Sequence, residues 1–438
     1  MNILAKEETS IFNVLPQVKP KKNIKHINVL SLFSGCGGMD LGFEGGFNVF
    51  HKCINPRSGF INKVIDDNFV QLKITPFKTV FANDILKDAF VAWAHYFKKH
   101  GYNSKIYHQK SIVDLVKMHK AGKSVFPNSI DIVTGGFPCQ DFSVSGKRKG
   151  FDSHKDHNGK FIDNQIVSEE TRGKLYFWMK EVIDITKPKI FIAENVKGLV
   201  NLSNVKDIIQ KDFSSADGDG YIVLNPQVLH AADYGIPQSR ERVIFIGIRK
   251  SALKKSALEA LTKDVLPREY NPYPEPTHAY NIRDNENLSP FVNLKDIFSL
   301  LDEPDITKDL SQKLYSKAKF MGVHCQGQKE IDLDGISPTI RSEHHGNIEF
   351  RRLSRENGGV IDIELKNGLP ERRLTPRECA MIQTFPMDYQ FVIPDNKRKN
   401  SYELSASAAY KVIGNAVPPL LAYNIAKRIE RLWNLYFE

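Results

Sequence analysis

The chain has 438 residues, 41% of them hydrophobic, and is long enough to bury the cores of two domains. Its formal net charge of +10 at pH 7 favours a polyanionic partner, although proteins that never meet nucleic acid also carry such an excess. Five cysteines without a Cys-x-x-Cys pair argue against a disulfide framework and a zinc ribbon, and the histidines lack metal-ligand spacing. With no apolar run of membrane-spanning length and no signal-peptide core, we expect a cytoplasmic protein with no metal and no membrane partner.

Strands and helices alternate along the first part of the chain. Strands are predicted at about 28–33, 131–135, 189–193 and 243–248, and the spacing of Leu175, Trp178, Met179 and Val182 is typical of a helix. This alternation predicts an α/β fold with a parallel sheet. Two longer connections interrupt it, at 47–80 and at 151–171, and the first has no functional interpretation.

Composition divides the chain into four parts. A polar arm at 1–26 precedes a first domain at 27–268. Proline-rich, loop-rich sequence then predicts a smaller second domain and hinge at 269–407. The last part, 408–438, has an apolar stripe that includes Leu421, Ile425 and Ile429, and we expect this helix to pack back on the first domain.

A glycine-rich turn follows the first strand. The segment Phe33–Gly38 joins that strand to a helix start, an arrangement that can hold an adenosine-containing cofactor. It departs from the dinucleotide fingerprint, because Asp40 stands where the third glycine should be. A nicotinamide cofactor is therefore disfavoured.

Three further segments place reactive side chains at strand ends. Cys139 follows the apolar run 130–137 and is a candidate nucleophile, and Glu194 ends the strand after Pro188. The carboxyl ends of parallel strands meet at one edge, so these two side chains could share a crevice. Arg240 and Arg242, two residues apart on a predicted strand, are expected to project from the same side, where they suit a phosphate or a base edge. Each has an ordinary alternative: a buried inert thiol, a solvated loop acid and a solvated strand edge.

Together these segments resemble the DNA (cytosine-5)-methyltransferase family of bacterial restriction–modification type, from about Val29 to Ile429. The resemblance rests on six segments in the family's order: Phe33–Gly38, Gly136–Gln140, Glu194–Val196, Gln238–Arg242, Arg373–Cys379 and Gly414–Pro418. It implies a Rossmann-like S-adenosylmethionine-dependent methyltransferase domain at 27–268 and a target-recognition domain at 269–407. A bacterial cytoplasmic enzyme acting on double-stranded DNA follows from the same resemblance.

The resemblance also implies a role for each catalytic residue. Cys139 would add to C6 of a flipped cytosine, Glu194 would act at N3, and Arg242, with Arg240 beside it, would hold the O2 side. Ser111 stands where the family usually has an aspartate that contacts adenine, so either Ser111 replaces that acid or the contact is absent. The cofactor residues carried over for S-adenosyl-L-methionine are Phe33, Gly35, Gly38, Asp84, Ser111, Pro138, Leu175, Asn415 and Val417.

DNA contacts are expected in two places. Lys147, Arg148 and Lys149 follow Cys139 in a glycine-flanked loop that could close on the phosphates, while Thr339, Arg341 and His344 lie in the recognition segment. We expect a monomer, with a cognate restriction endonuclease acting on the same site without a stable complex. The alternatives are an RNA (tRNA) cytosine C5 methyltransferase and a non-catalytic DNA-binding protein. The recognition sequence cannot be read from the chain.

Overall fold

A computed structural model describes residues 26–138, 175–201, 205–282, 286–322, 328–342, 349–360 and 362–437. The strands of the first half are β1 (Ile27–Leu32), β2 (Asn48–Phe50), β3 (Ile61–Val64), β4 (Phe69–Leu72), β5 (Phe77–Asp84), β6 (Tyr107–Gln109), β7 (Ile132–Gly136), β8 (Ile190–Val196), β9 (Tyr221–Val223) and β10 (Gln227–His230). Those of the second half are β11 (Gln238–Ser239), β12 (Glu241–Arg249), β13 (His278–Ala279), β14 (Ser289–Pro290), β15 (Lys329–Glu330), β16 (Ser337–Pro338), β17 (Glu349–Arg352), β18 (Arg372–Arg373), β19 (Ile393–Pro394) and β20 (Tyr402–Leu404).

The helices lie between these strands and after them. In chain order they are α1 (Gly38–Glu44), α2 (Lys87–Lys99), α3 (Ile112–Lys120), α4 (Leu175–Thr186), α5 (Val205–Ser214), α6 (Ala216–Asp219), α7 (Lys255–Leu261), α8 (Leu294–Phe298), α9 (Leu310–Lys313), α10 (Asp362–Lys366), α11 (Pro376–Ile382), α12 (Ala406–Asn415) and α13 (Pro419–Tyr436). None of the described helices is long and apolar enough to cross a membrane.

One large sheet organises the first domain. Its strand order is β10-β12-β8-β7-β1-β5-β6, with β9 also paired to β12. Successive residues of a strand point to opposite faces, so Val29 and Ile192 join one apolar cluster while Leu30 and Phe191 join another. The first cluster takes in α1, α2 and α13, and the second takes in α3, α4 and α5. The result is a three-layer α/β domain.

The expected parallel arrangement is wrong for β12. Strands β6, β5, β1, β7 and β8 run parallel, but β12 pairs antiparallel with β8, β9 and β10. The apolar pattern of 243–248 gives no direction, and the chain between β8 and β12 forms helices α5 and α6 and the short strands β9, β10 and β11, instead of a single crossover helix. Because of the reversed direction, β12 begins at the edge where β8 ends.

The connection at 47–80 forms a small antiparallel sheet with the order β2-β4-β3. The turn between β2 and β3 is fastened to the segment 277–296. Asn55 Nδ2 donates to the carbonyls of Thr277 and Asn287 at 3.0 and 2.7 Å, and Lys52 pairs with Asp296 at 2.9 Å. This insertion therefore joins the two parts of the chain.

A largely buried ion cluster links β17 and β18 to the segments that carry Glu303 and Glu364. The guanidinium of Arg352 has no exposed side-chain surface and bridges both carboxylate oxygens of Glu303, at 2.8 and 2.7 Å, and Glu364 Oε2 at 2.7 Å. Arg372 also contacts Glu303. A buried guanidinium needs such partners, since an unpaired charge in the interior is strongly destabilising.

Helix α13 returns to the first domain and packs closely on α1. A Cβ atom on Gly42 would lie 2.3 Å from the carbonyl oxygen of Pro419, and one on Gly38 would lie 2.2 Å from that of Val417. Both distances are far below van der Waals contact. Only glycine at these positions permits the observed approach.

Candidate active site

Glu194 and Arg242 form an ion pair at the carboxyl edge of the sheet. Glu194 is 8% exposed near the end of β8, and its Oε1 lies 2.8 Å from Nε of Arg242 at the start of β12. The antiparallel pairing of β8 with β12, in which Glu194 is opposite Ile244, brings the two side chains together. Gly136 is the register partner of Glu194 on β7, and a Cβ there would lie 2.9 Å from Oε2. The missing side chain at 136 makes room for the carboxylate.

Asn195 positions the segment that leads to the proposed nucleophile. It is 1% exposed, and its Nδ2 donates a hydrogen bond to the carbonyl of Phe137 at 3.1 Å. Phe137 and the half-buried Pro138 immediately precede Cys139, which lies outside the described residues. The end of β7 is thus tied to the residue next to Glu194.

Three other cysteines lie in apolar surroundings. Cys36, Cys53 and Cys379 are buried, and burial raises the pKa of each thiol above its usual value. A thiol must ionise to act as a nucleophile. These three are therefore held in the unreactive, protonated form at neutral pH.

Arg240 does not share the surroundings of Arg242. It lies between β11 and β12, is 1% exposed, and donates from Nη1 to the carbonyl of Ile340 at 3.1 Å. Its Nη2 donates to the carbonyls of Gly414 and Ala416 at 3.1 and 2.9 Å. The expectation that both arginines project together from one strand is not met, because the chain between β11 and β12 is irregular at Arg240.

The glycine-rich turn and Asp84 are hydrogen-bonded to each other at the same edge. Phe33 and Gly35 have positive φ angles of 51° and 54°, and no atom lies within 4 Å of where a Cβ of Gly35 would be. The Gly35 N–H donates to Asp84 Oδ2 at 3.0 Å and the Leu86 N–H to Oδ1 at 2.9 Å. Burial raises the pKa of Asp84, while these backbone hydrogen bonds oppose that rise. Each carboxylate oxygen retains acceptor capacity for a hydroxyl group.

The other expected cofactor residues lie at or near the ends of helices. Ser111, 5% exposed, stands at the N-terminus of α3, soon after β6, and Leu175 is the first residue of α4. Asn415 is exposed at the end of α12, and the carbonyl of Val417 lies against Gly38. Open space beside Gly35, the apolar ring of Phe33 and an acceptor carboxylate fit a nucleoside-containing cofactor.

The expected DNA-contacting residues are only partly described. Thr339 Oγ1 donates to the carbonyl of Ser239 at 2.6 Å, and Arg341 is exposed. A Cβ on Gly414 would lie 2.2 Å from the carbonyl carbon of Arg341. Lys147, Arg148, Lys149 and His344 lie outside the described residues.

Sequence reasoning missed the roles of Asn195, Gln238 and Gln383. Gln238 is fully buried, donates to Gln383 Oε1 at 2.9 Å and accepts from the N–H of Ile340 at 2.8 Å. Asn195 and Gln238 lie within quoted motifs, so their positions were visible but their partners were not. No signal in the sequence marked Gln383. Within the described ranges no group of three His, Cys, Asp or Glu side chains could hold a metal ion.

Comparison with known proteins places this site in a family context. A family model described as C-5 cytosine-specific DNA methylase matches residues 27–431. The chain is 32% identical to the type II methyltransferase M.BsuRI of Bacillus subtilis, over 92% of this chain and 79% of that protein. It is 30% identical to the type II methyltransferase M.BspRI of Lysinibacillus sphaericus, over 98% of this chain and 86% of that protein.

Solved structures share the fold at low sequence identity. The Entamoeba histolytica methyltransferase EhMeth aligns with a TM-score of 0.53 at 16% identity, covering 94% of this chain and 99% of that one. The S. pombe Dnmt2 methyltransferase aligns with a TM-score of 0.52 at 18% identity, covering 93% and 99%. The expected Rossmann-like α/β methyltransferase fold is thereby confirmed.

Proposed function

Since this chain belongs to the C-5 cytosine-specific DNA methylase family and is a DNA (cytosine-5)-methyltransferase, we propose that it works through a covalent bond between Cys139 and C6 of a flipped cytosine. The observation that carries the proposal is the Glu194–Arg242 ion pair. It lies where β8 ends and β12 begins, and Asn195 ties that point to the segment preceding Cys139.

The proposed chemistry needs Cys139, Glu194 and Arg242 together. Carbon C5 of cytosine is a poor nucleophile. When the Cys139 thiolate adds to C6, the electron pair of the C5–C6 double bond becomes available for attack from C5. The Glu194 carboxyl group supports this by donating a proton or a hydrogen bond at N3. Once C5 carries the methyl group, it loses its proton and Cys139 leaves, which restores the aromatic ring.

Arg242 has two tasks in this proposal. Its ion pair holds Glu194 Oε1, which leaves Oε2, on the side of Gly136, to face the base. Its guanidinium is a donor for the O2 side of the flipped cytosine. Both tasks depend on β12 starting at this edge.

We assign S-adenosyl-L-methionine to the open space beside Gly35. This cofactor supplies the methyl group when bound. Phe33 would contact the adenine ring, Asp84 would accept hydrogen bonds from ribose hydroxyls, and the open space at Gly35 would admit the ligand close to the backbone. Ser111, Pro138, Leu175, Asn415 and Val417 would complete the walls.

The biological role follows from the relatives. Their names are those of type II methyltransferases, and we propose that this chain methylates a specific DNA sequence within a restriction–modification system. We propose that it acts as a monomer on double-stranded DNA, and that a cognate endonuclease acts on the same site without forming a stable complex.

Methyl transfer to DNA and to tRNA tests the proposal directly. Wild-type protein with labelled cofactor should label duplex DNA but not tRNA, and bisulfite sequencing should find methylated cytosine in one sequence context. Cys139→Ser should abolish transfer while DNA binding survives. DNA with 5-fluorocytosine should form a denaturation-resistant adduct with the wild type only, because fluorine cannot leave as the C5 proton does.

The other outcomes identify the alternatives. Labelling of tRNA alone would make the protein an RNA methyltransferase. Tight DNA binding without turnover would make it a DNA-binding protein on the same fold. Turnover by Cys139→Ser, or no adduct with the wild type, would remove the covalent step.

A further inference from the structure

Arg240 links two segments that the proposed function assigns to different ligands. They are residues 339–341, the DNA-side loop, and residues 414–417, the cofactor-side turn. Its Nη1 bonds the carbonyl of Ile340, which lies between the candidate DNA contacts Thr339 and Arg341. Its Nη2 bonds the carbonyls of Gly414 and Ala416, which flank the candidate cofactor contact Asn415. One rigid guanidinium therefore donates hydrogen bonds to both the DNA-side loop and the cofactor-side turn.

Gln238 makes a second, parallel link. Its Oε1 accepts from the Ile340 N–H at 2.8 Å, and its Nε2 donates to Gln383 Oε1 at 2.9 Å. Gln383 in turn donates to the carbonyl of Ile413 at 2.8 Å. Both amide side chains are fully buried. The chain of hydrogen bonds runs from the DNA-side loop to the end of α12 without passing through solvent.

The two loops also touch directly. Gly414 lies so close to the loop that a Cβ there would meet the Arg341 carbonyl carbon at 2.2 Å. On the other side, Thr339 Oγ1 donates to the Ser239 carbonyl, between Gln238 and Arg240. The DNA-side loop is thus fastened along its length to the segment that also supports the cofactor-side turn.

We infer that Arg240 and Gln238 are positioning residues that couple DNA binding to cofactor binding. The inference rests on the proposed function for the identity of the two ligands, and it moves Arg240 from a contact with the base to a role behind the site. A displacement of either loop breaks hydrogen bonds of buried groups, which the interior penalises. Ordering one loop by its ligand therefore orders the other, and the coupling is reciprocal.

The experiment measures cofactor affinity with and without DNA. Binding of S-adenosylhomocysteine is titrated by calorimetry, alone and in the presence of the duplex that the wild type methylates. We expect wild-type affinity to rise on DNA binding by a factor within the usual range of about 5 to 150. In Arg240→Lys, which keeps the charge but loses the two-pronged geometry, and in Gln238→Leu, the factor should fall close to one.

Arg352→Lys is the matched control, because Arg352 is an equally buried guanidinium whose partners are Glu303, Glu364 and the Pro370 carbonyl. It should lower thermal stability and leave the coupling factor at the wild-type value. If Arg240→Lys does not fold, Thr339→Val, which removes the bond to Ser239, replaces it and should lower the factor at least twofold.

A wild-type protein that methylates DNA but shows a coupling factor of one would overturn the inference and leave the proposed function standing. So would folded Arg240→Lys and Gln238→Leu variants, or a Thr339→Val variant used in their place, that keep the wild-type factor. A wild type that does not methylate DNA would instead refute the proposed function, whatever the variants do.

Discussion

Glu194 combines near-complete burial with an ion pair to Arg242, and its proposed chemistry at N3 depends on a protonatable oxygen. We predict that Glu194→Gln slows methyl transfer by about 10²–10⁴-fold, the usual contribution of a general acid, because an amide cannot donate a proton as a carboxylic acid does. DNA affinity should change far less. Single-turnover rates and equilibrium binding to duplex DNA measure the two effects separately.

Glu241 provides the control for this variant. It lies on the same strand as Arg242 but pairs with Lys197 at the surface, where the two side chains are 40% and 47% exposed. An exposed pair contributes little, so Glu241→Gln should leave both rate and affinity near the wild-type values. Equal losses of rate and affinity in Glu194→Gln would make Glu194 a positioning residue.

The contrast between Arg240 and Arg242 shows what residue patterns can predict. The sequence correctly placed both residues next to a strand, and the family resemblance implied that Arg242, with Arg240 beside it, holds the O2 side of the base. It could not distinguish them, because the partners of Arg240 are backbone carbonyls about 100 and 174 residues further along the chain. Every residue has a backbone carbonyl, so the sequence does not indicate which carbonyls a side chain will contact.

Among the elements, α1 and α13 make the closest helix contact that depends on glycine. Gly42→Ala would place a Cβ 2.3 Å from the Pro419 carbonyl oxygen and 2.5 Å from the Ala422 Cβ. We expect a loss of about 1–3 kcal/mol in the free energy of unfolding, despite the better helix propensity of alanine. Urea denaturation measures it.

Gly135→Ala is a milder comparison. The new Cβ would contact the Met179 Sδ at 3.0 Å, and a thioether can rotate away where a backbone carbonyl cannot. Its loss should be smaller than that of Gly42→Ala. Equal stability of Gly42→Ala and the wild type would contradict the close approach of the two helices.

The ion cluster around Arg352 predicts how the stability of the protein responds to acid. Burial opposes ionisation of Glu303, but hydrogen bonds from Arg352 and Arg372 outweigh it and lower the pKa to about 2. A depressed carboxyl pKa stabilises the folded state above the unfolded value, near 4.5, and this contribution is lost as the pH falls from there towards 2. Glu303→Gln should therefore cost about 3 kcal/mol at pH 7 and progressively less below about pH 4.5.

Denaturation of the wild type and Glu303→Gln across this pH range tests whether the stability difference between them shrinks as the pH falls. Glu275→Gln is the control, because Glu275 pairs with Arg268 at the surface, where the side chains are 53% and 83% exposed. It should change stability little. If the stability difference between Glu303→Gln and the wild type stays constant throughout the acid range, ionisation of the Glu303 carboxyl group does not contribute to the acid sensitivity of the protein.

Elements were easier to predict than their directions. Apolar runs located β1, β7, β8 and β12, since buried strands need such residues wherever they lie. Strand direction depends on what the intervening chain does, and β9 and β10 are too short to stand out from loop sequence. The 47–80 connection, read as a long link, folds into its own sheet because β4 supplies alternating apolar residues between two short partners.

At the scale of the whole molecule, the net positive charge is expected to act through particular lysines and arginines. Replacing Lys147, Arg148 and Lys149 with alanine should weaken DNA binding and slow methyl transfer. It should also flatten the salt dependence, by about 0.9 logarithmic units for each phosphate that the loop no longer neutralises. Cofactor affinity in the absence of DNA should not change. Binding isotherms at several salt concentrations give the slope.

Lys98, Lys99 and Lys105 form the control triple. They are exposed, and they lie at the end of α2 and just before β6, near the amino ends of the parallel strands and away from the site. Their replacement lowers the net charge equally but should leave the slope nearly unchanged. An unaltered slope in the first triple variant would show that the loop after Cys139 does not touch the phosphates.

The overall architecture was predictable because it follows from local patterns: strand, glycine-rich turn, helix and a repeated apolar alternation. The loop-rich region after residue 269 was predictable only in outline. Its fold depends on Arg352, Arg372 and their carboxylate partners, charged residues that ordinary patterns assign to the surface. A charged side chain can be buried only where oppositely charged groups lie beside it, and the sequence does not show which groups those are.

The close approach of Gly38 to Val417 has a consequence for the newly made protein. A ribosome adds roughly 5–20 residues per second, so tens of seconds separate the emergence of these two positions. Throughout that interval the glycine-rich turn lacks the neighbour that supports it from behind. We therefore expect methylation competence to arise late in synthesis, after the region expected to recognise the target sequence, 269–407, has been made.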